Sequence, residues 1–239
     1  MGPADPAAVA ALLSARDKLF TGADNRVQFG VALTAAEFAR RTPEEARVDF
    51  QYAARLDPAL IVQHVLGTHG DWKMGQPRAY RLIADYYKAG LLGPKYLAVH
   101  ANGLTDDELK MLADSGSSIT STVIGETFYG RPPIHARARE AGVKVAIGID
   151  GAYHRTHDYF TVVNAAKTSL CRTDRDMALA RKMSPLDYLK LATIGGAEAI
   201  GQAAKIGSIT PGKRADLVLI RTDRDFYPML LYGDRKSVV

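Results

Sequence analysis

The sequence predicts an α/β protein built on a parallel sheet, with helices between successive strands. Three observations carry that reading. Short apolar runs recur along the chain, and each is followed by a capped helical pattern before the next run begins. Parallel strands need such a crossover, usually a helix. The runs are apolar without strict alternation, as strands covered on both faces are. Helix start and stop residues also fall where the repeat requires them.

The elements follow in order. Gly2 to Ala15 is small and apolar but has no basic region ahead of it, so it reads as a helix entered from Pro6 rather than a signal peptide. A strand is expected at about 27–31. Thr42-Pro43-Glu44-Glu45 is a helix start with a Thr cap, Pro in the first turn and Glu three residues after the cap. The run 59–64 is a strand ending in His64, and a helix over 77–89 is closed by Gly90. In that helix, at least one of Tyr86 and Tyr87 faces the sheet. The run 96–100 is a strand ending in His100. Thr105 to Glu108 is a second capping box, and that helix stops at Gly116. A β-branched strand at 118–123, a helix from Pro132-Pro133 to Gly142, and a strand at 144–149 ending before Asp150 come next. Residues 158–170 read as helix, and Ser184-Pro185-Leu186-Asp187 opens another. Beyond residue 203 the βα pattern ends. A turn around Pro211-Gly212 and a last strand at 215–220 suggest a separate small β element over 204–239, after a main domain over 1–203.

Composition narrows the function. The chain has 239 residues, 47% hydrophobic and 24% charged, which is globular arithmetic. Its 31 basic residues exceed its 26 acidic ones by only five, and they are spread along the chain. That argues against nucleic acid as a partner, because a binding face concentrates basic charge. The single cysteine, Cys171, excludes an internal disulfide and Cys-rich zinc patterns and fits a reducing compartment. No apolar run approaches the ~18 residues of a membrane span. The chain therefore reads as soluble and cytoplasmic, with no membrane partner.

In parallel βα architectures the chemistry gathers at the carboxyl ends of the strands. His64, His100 and Asp150 each stand at such an end. Two imidazoles and a carboxylate suit a zinc-like divalent cation. A strand-end His is also a common structural residue, and an Asp after a strand is a common helix cap. Glu126 follows the fourth of these strands, as a substrate contact or a solvent-exposed loop acid. His69, His154 and His157 lie in loops on the same face, and Trp72 and Tyr129 are candidates to line a pocket for a flat ring. His135 falls on a helix, as a surface or packing residue.

Val99-His100-Ala101-Asn102-Gly103-Leu104-Thr105-Asp106-Asp107-Glu108 resembles the sixth-strand motif of the amidohydrolase superfamily, in its cytosine deaminase, aminohydrolase and chlorohydrolase branch. Ile147-Gly148-Ile149-Asp150-Gly151 resembles the eighth-strand motif of that branch. Ile206 to Ile209, followed by Pro211 to Val218, resembles its return into a small β-sandwich. The resemblance implies a partial TIM-like (β/α)8 barrel, about strands four to eight, with a remnant of the β-sandwich. It implies a metal-dependent hydrolase acting on carbon–nitrogen or carbon–chlorine bonds of small cyclic substrates. The cofactor would be a divalent metal, zinc first and iron or manganese as alternatives. His64 would be a metal ligand, Asp150 a metal ligand and proton shuttle, and His100 the residue that orients water and substrate. Glu126, His69, His154 and Trp72 would contact the substrate.

The sequence departs from that pattern in one important respect. The family's first-strand His-x-His pair is missing from all six histidines of the chain. Gly67 also stands three residues after His64, where several aminohydrolases carry a Glu. The expectation is therefore a C-terminal portion, truncated and inactive alone, with weak metal binding. The open strand edges of such a piece favour a homo-oligomer. The alternatives are a catalytically dead copy and a non-catalytic α/β binding protein.

Overall fold

Local signals place the helices. In a computed structural model of the chain, which describes residues 6–20, 27–33, 42–65, 81–128, 132–151, 158–170 and 173–219, there are ten helices and five strands among the described residues, alternating one for one only as far as the fourth strand. The chain forms two compact units, Met1–Ser118 and Ile119–Val239. The division expected near residue 203 falls inside the second unit.

The first unit runs α1 (Pro6–Leu19), β1 (Gly30–Leu33), α2 (Pro43–Arg55), β2 (Leu60–Val65), α3 (Leu82–Lys88), β3 (Tyr96–His100) and α4 (Asp106–Asp114). The cap of α2 is the one its sequence specifies. Thr42 Oγ1 accepts from the Glu45 amide at 3.2 Å, and Glu45 Oε2 accepts from the Thr42 amide at 2.9 Å. Two amides at the helix start are thereby satisfied. Gly90 and Gly116 end α3 and α4 with left-handed backbone, φ +66° and +73°, which a residue without Cβ adopts freely. Strands β1, β2 and β3 are parallel neighbours in that order. Strand β2 does not have both faces covered, as the apolar run suggested. Ile61, Gln63 and Val65 are buried, whereas Leu60 and Val62 are half-buried and His64 is exposed. Buried and less buried residues thus alternate along β2.

The core of this unit is aromatic. Phe50 of α2, Tyr86 of α3 and Tyr96 of β3 meet with ring centroids 5.0 to 6.1 Å apart, within the range of favourable edge and tilted contacts. Tyr86 is 0% exposed and Tyr87 is 41% exposed, so one of the pair faces inward as expected. The Tyr86 hydroxyl donates to the Ala46 carbonyl at 3.2 Å and so ties α3 to α2. Tyr86→Phe is expected to cost about 1 kcal/mol, the typical net worth of a buried hydrogen bond. Urea unfolding measures it; an unchanged midpoint would show that the bond contributes nothing.

The second unit holds β4 (Ser118–Ser121, which opens at the boundary), α5 (Val123–Phe128), α6 (His135–Glu140), β5 (Lys144–Ile147), α7 (Tyr159–Thr168), α8 (Asp174–Arg181), α9 (Pro185–Ala192) and α10 (Ile194–Ala199). β4 and β5 are neighbours in the sheet, and beyond β5 the Gly148 amide donates to the Ser121 carbonyl at 2.9 Å. Ser184 caps α9 reciprocally with Asp187, and Asp158 caps α7. The core joins Ile119, Val145, Val163, Tyr188 and Leu191.

Two expectations are corrected here. Residues 123–128 form helix α5 rather than the end of a strand and a loop. Residues 215–219, expected as strand, are not strand, and Leu217, Val218 and Leu219 remain exposed. An apolar run becomes a strand only where a neighbouring strand receives its amides and carbonyls. Among the described residues beyond 200 there is no strand and hence no β-sandwich element. No helix among the described residues is long and apolar enough to cross a membrane.

Candidate functional site

In the first unit, the site is built by the ends of β2 and β3. The register pairs His64 with Val99 and Val65 with His100. Paired residues of parallel strands share a face, so regular strand geometry would send His100 to the buried side with Val65. Instead the His64 and His100 rings stand 5.2 Å apart between centroids, tilted by 45°. The cause is local. His100 and Ala101 have left-handed backbone, φ +69° and +57°, which takes His100 out of the alternation. Histidine is among the residues that tolerate this conformation. The turn is fixed by the Ala101 amide, which donates to the Val65 carbonyl at 2.8 Å. His64 is exposed and His100 half-buried.

The segment after His100 is anchored at its far end by α4. The Thr105 amide donates to Glu108 Oε2 at 3.1 Å, and the Thr105 hydroxyl donates to the Asp107 carboxylate. Arg81, just before α3, donates to Asp107 and to the Thr105 hydroxyl. Its guanidinium also lies 3.6 Å from the buried Glu108 carboxylate. The Thr105 hydroxyl, with Arg81 beside it, holds the Asp107 carboxyl down to about 2.

In the second unit, Asp150 follows β5, exposed and with left-handed φ of +65°. Its carboxylate lies over Gly125 of α5. A Cβ added to that glycine would sit 2.8 Å from Asp150 Oδ2. Glu126 is not in a loop. It is 2% exposed, and its carboxylate accepts from the Ser121 hydroxyl at 2.8 Å and the Thr122 amide at 2.7 Å. His135 is not at the surface either. It is 0% exposed, 6.3 Å from the Tyr188 ring, and burial pushes its imidazole down to about 4. His69, Trp72, Tyr129, His154 and His157 lie outside the described residues.

The structure thus brings His64 and His100 together and places Asp150 in the other unit. Two accessible imidazoles suit a borderline divalent cation by donor type. Among the described residues there is no group of three or more His, Cys, Asp or Glu side chains around one point, so the donor set within those residues is partial. Gly125 was missed by sequence reasoning, because nothing in Ile124-Gly125-Glu126 signals that a carboxylate from a distant turn rests on it.

Comparison with known proteins agrees with the strand-end motifs. The chain is 31% identical over 147 residues to a 5-methylthioadenosine/S-adenosylhomocysteine deaminase of Symbiobacterium thermophilum, covering 59% of this chain and 33% of that protein. It is 29% identical over 185 residues to a 5'-deoxyadenosine deaminase of Methanosarcina barkeri, covering 74% of this chain and 40% of that protein. In fold it is similar to a Xanthomonas campestris adenosine deaminase with bound zinc, at a TM-score of 0.69 and 24% identity over 87% of this chain and 46% of that one. It is also similar to E. coli guanine deaminase, at a TM-score of 0.68 and 20% identity over 87% of this chain and 48% of that one. The chain spans a third to two fifths of those curated relatives and about half of those solved structures. The amidohydrolase family model matches residues 4–239. The chain belongs to the amidohydrolase family.

Proposed function

We propose that this chain carries part of the site of a metal-dependent hydrolase that replaces an exocyclic amino group on a small ring with oxygen. Water adds to the ring carbon, the carbon–nitrogen bond breaks, and ammonia leaves. The observation that carries the reading is the pair of accessible imidazoles, 5.2 Å apart at adjacent strand ends. The activities of the relatives, deamination of 5'-deoxyadenosine and 5-methylthioadenosine, point to 6-aminopurine nucleosides as the substrate class. The underlying scaffold in this reading is a partial (β/α)8 barrel.

His64 is a metal ligand in this reading, and Asp150 is a second ligand. A divalent cation at such a site, zinc first, would supply a water whose pKa is lowered toward ~7. Asp150 accepts a proton at its carboxylate and returns it to the leaving nitrogen. His100 donates a hydrogen bond to the reacting group and stabilises charge that develops there. His69, His154 and Trp72 are proposed substrate contacts. Glu126 acts through its hold on Ser121 and Thr122.

A second reading is a catalytically dead copy, in keeping with the partial donor set among the described residues. Ammonia release from 5'-deoxyadenosine at saturating zinc separates the two. Zinc-dependent release is the result of the hydrolase reading and would overturn the expectation that the chain is inactive alone. Zinc binding that depends on His64, with no release, assigns the chain to the second reading. No zinc binding at all overturns the hydrolase reading.

A further inference from the structure

We infer that Gly125 is a positioning residue whose bare Cα seats the Asp150 carboxylate. The inference deepens the proposed function, because it rests on the reading that Asp150 serves the metal site. A Cβ on Gly125 would lie 2.8 Å from Asp150 Oδ2 and 3.7 Å from both its Cβ and its Cγ. The first distance is well inside van der Waals contact, so any side chain at position 125 displaces the carboxylate.

The usual reasons for a glycine do not apply at this position. Its φ is not in the left-handed region, so the backbone does not require glycine. It lies inside helix α5, where glycine is the poorest former after proline. What remains is the close approach of Asp150.

Both sides of this contact are held. The Glu126 carboxylate reaches back to the Thr122 amide and the Ser121 hydroxyl, and the Glu126 amide donates to the Thr122 carbonyl at 3.0 Å. The first turn of α5 is therefore pinned to the end of β4, and Gly125 is presented at a fixed place. Two residues before Asp150, the Gly148 amide donates to the Ser121 carbonyl at 2.9 Å. The Asp150 backbone then takes its left-handed turn at φ +65°. With both backbones fixed, the carboxylate rotamer is the variable that the contact decides. A substitution at 125 acts on that rotamer first.

The test is a double-mutant cycle joined to a zinc titration on the full chain. Gly125→Ala is made in the wild type and in Asp150→Ala, and thermal midpoints are compared. Alanine favours the helix in both backgrounds, but only the wild type meets the carboxylate. The gain from Gly125→Ala is expected to be about 2–4 °C larger in Asp150→Ala than in the wild type. Gly125→Ala is also expected to weaken zinc binding about tenfold, the range for residues that orient a ligand, read by competition with a chromophoric chelator. Equal midpoint shifts in both backgrounds, with zinc affinity unchanged, overturn the seat while leaving Asp150 as a ligand. Coupled midpoints, with zinc binding indifferent to Asp150→Asn, uphold the seat and overturn the role given to Asp150.

Discussion

Lowering the pH from 7 to 4 is expected to remove about 3 kcal/mol of folding free energy through His135 alone. Its imidazole lies among α5, α6, α7, α8 and α9 of the second unit, near Tyr188 and the Ala166 carbonyl, with the Glu126 and Asp176 carboxylates the charged groups facing it. Burial, the largest cause, pushes its pKa from 6.5 down to about 4; the two carboxylates and the carbonyl only partly oppose it. The sign follows from proton counts. Above pH 6.5 the ring is neutral whether folded or unfolded, and its contribution is complete. Between 6.5 and about 4 the unfolded chain binds a proton that the folded chain does not, so stability falls as pH falls. Below about 4 both states are protonated and the loss levels off. At about 1.4 kcal/mol per unit, the window amounts to about 3 kcal/mol. Urea unfolding of the wild type and His135→Phe at pH 7, 5.5 and 4 measures it. The pH dependence that carboxylates contribute is common to both proteins, so the difference isolates His135. Parallel profiles would show that the ring is not buried neutral.

The second large effect separates the two histidines at the strand ends. His64→Ala removes a proposed ligand, and zinc affinity is expected to fall at least ~100-fold, beyond the cost of an outer residue. His100→Ala removes a hydrogen-bond donor. Zinc affinity should then change by less than ~10-fold, while zinc-dependent ammonia release falls by ~100- to 1000-fold, as for other preorganised donors. Zinc affinity and ammonia release on the same purified variants measure both. If His100→Ala loses zinc as fully as His64→Ala, His100 is a ligand and the roles must be reassigned.

Features set by neighbours in the sequence were legible before the structure. Thr42, Thr105 and Ser184 begin helices because capping needs only residues three positions apart. His64 and His100 were placed at strand ends because the apolar runs that precede them are unambiguous. Features set by distant contacts were not legible. His100 shares a face with His64 only because two residues take left-handed backbone, and no residue in Val99-His100-Ala101 announces that. Val123 is β-branched and reads as the end of a strand, yet it opens α5, which the buried Glu126 carboxylate ties to β4. His135 lies on the helix foreseen for it, but its burial depends on α7, α8 and α9. Residues 215–219 have a strand's composition but, among the described residues, no strand beside them. The residues that carry the proposed chemistry were thus found by local pattern, and those that position them only by the fold.

In the proposed function, the imidazoles at the ends of β2 and β3 meet a divalent metal that His64 holds. The most direct measurement is anomalous scattering at the zinc edge from crystals of the full chain soaked with zinc. A peak is expected ~2.0–2.1 Å from a ring nitrogen of His64, the usual zinc–imidazole distance. A zinc peak bound elsewhere, with the His64 ring uncoordinated, would contradict it.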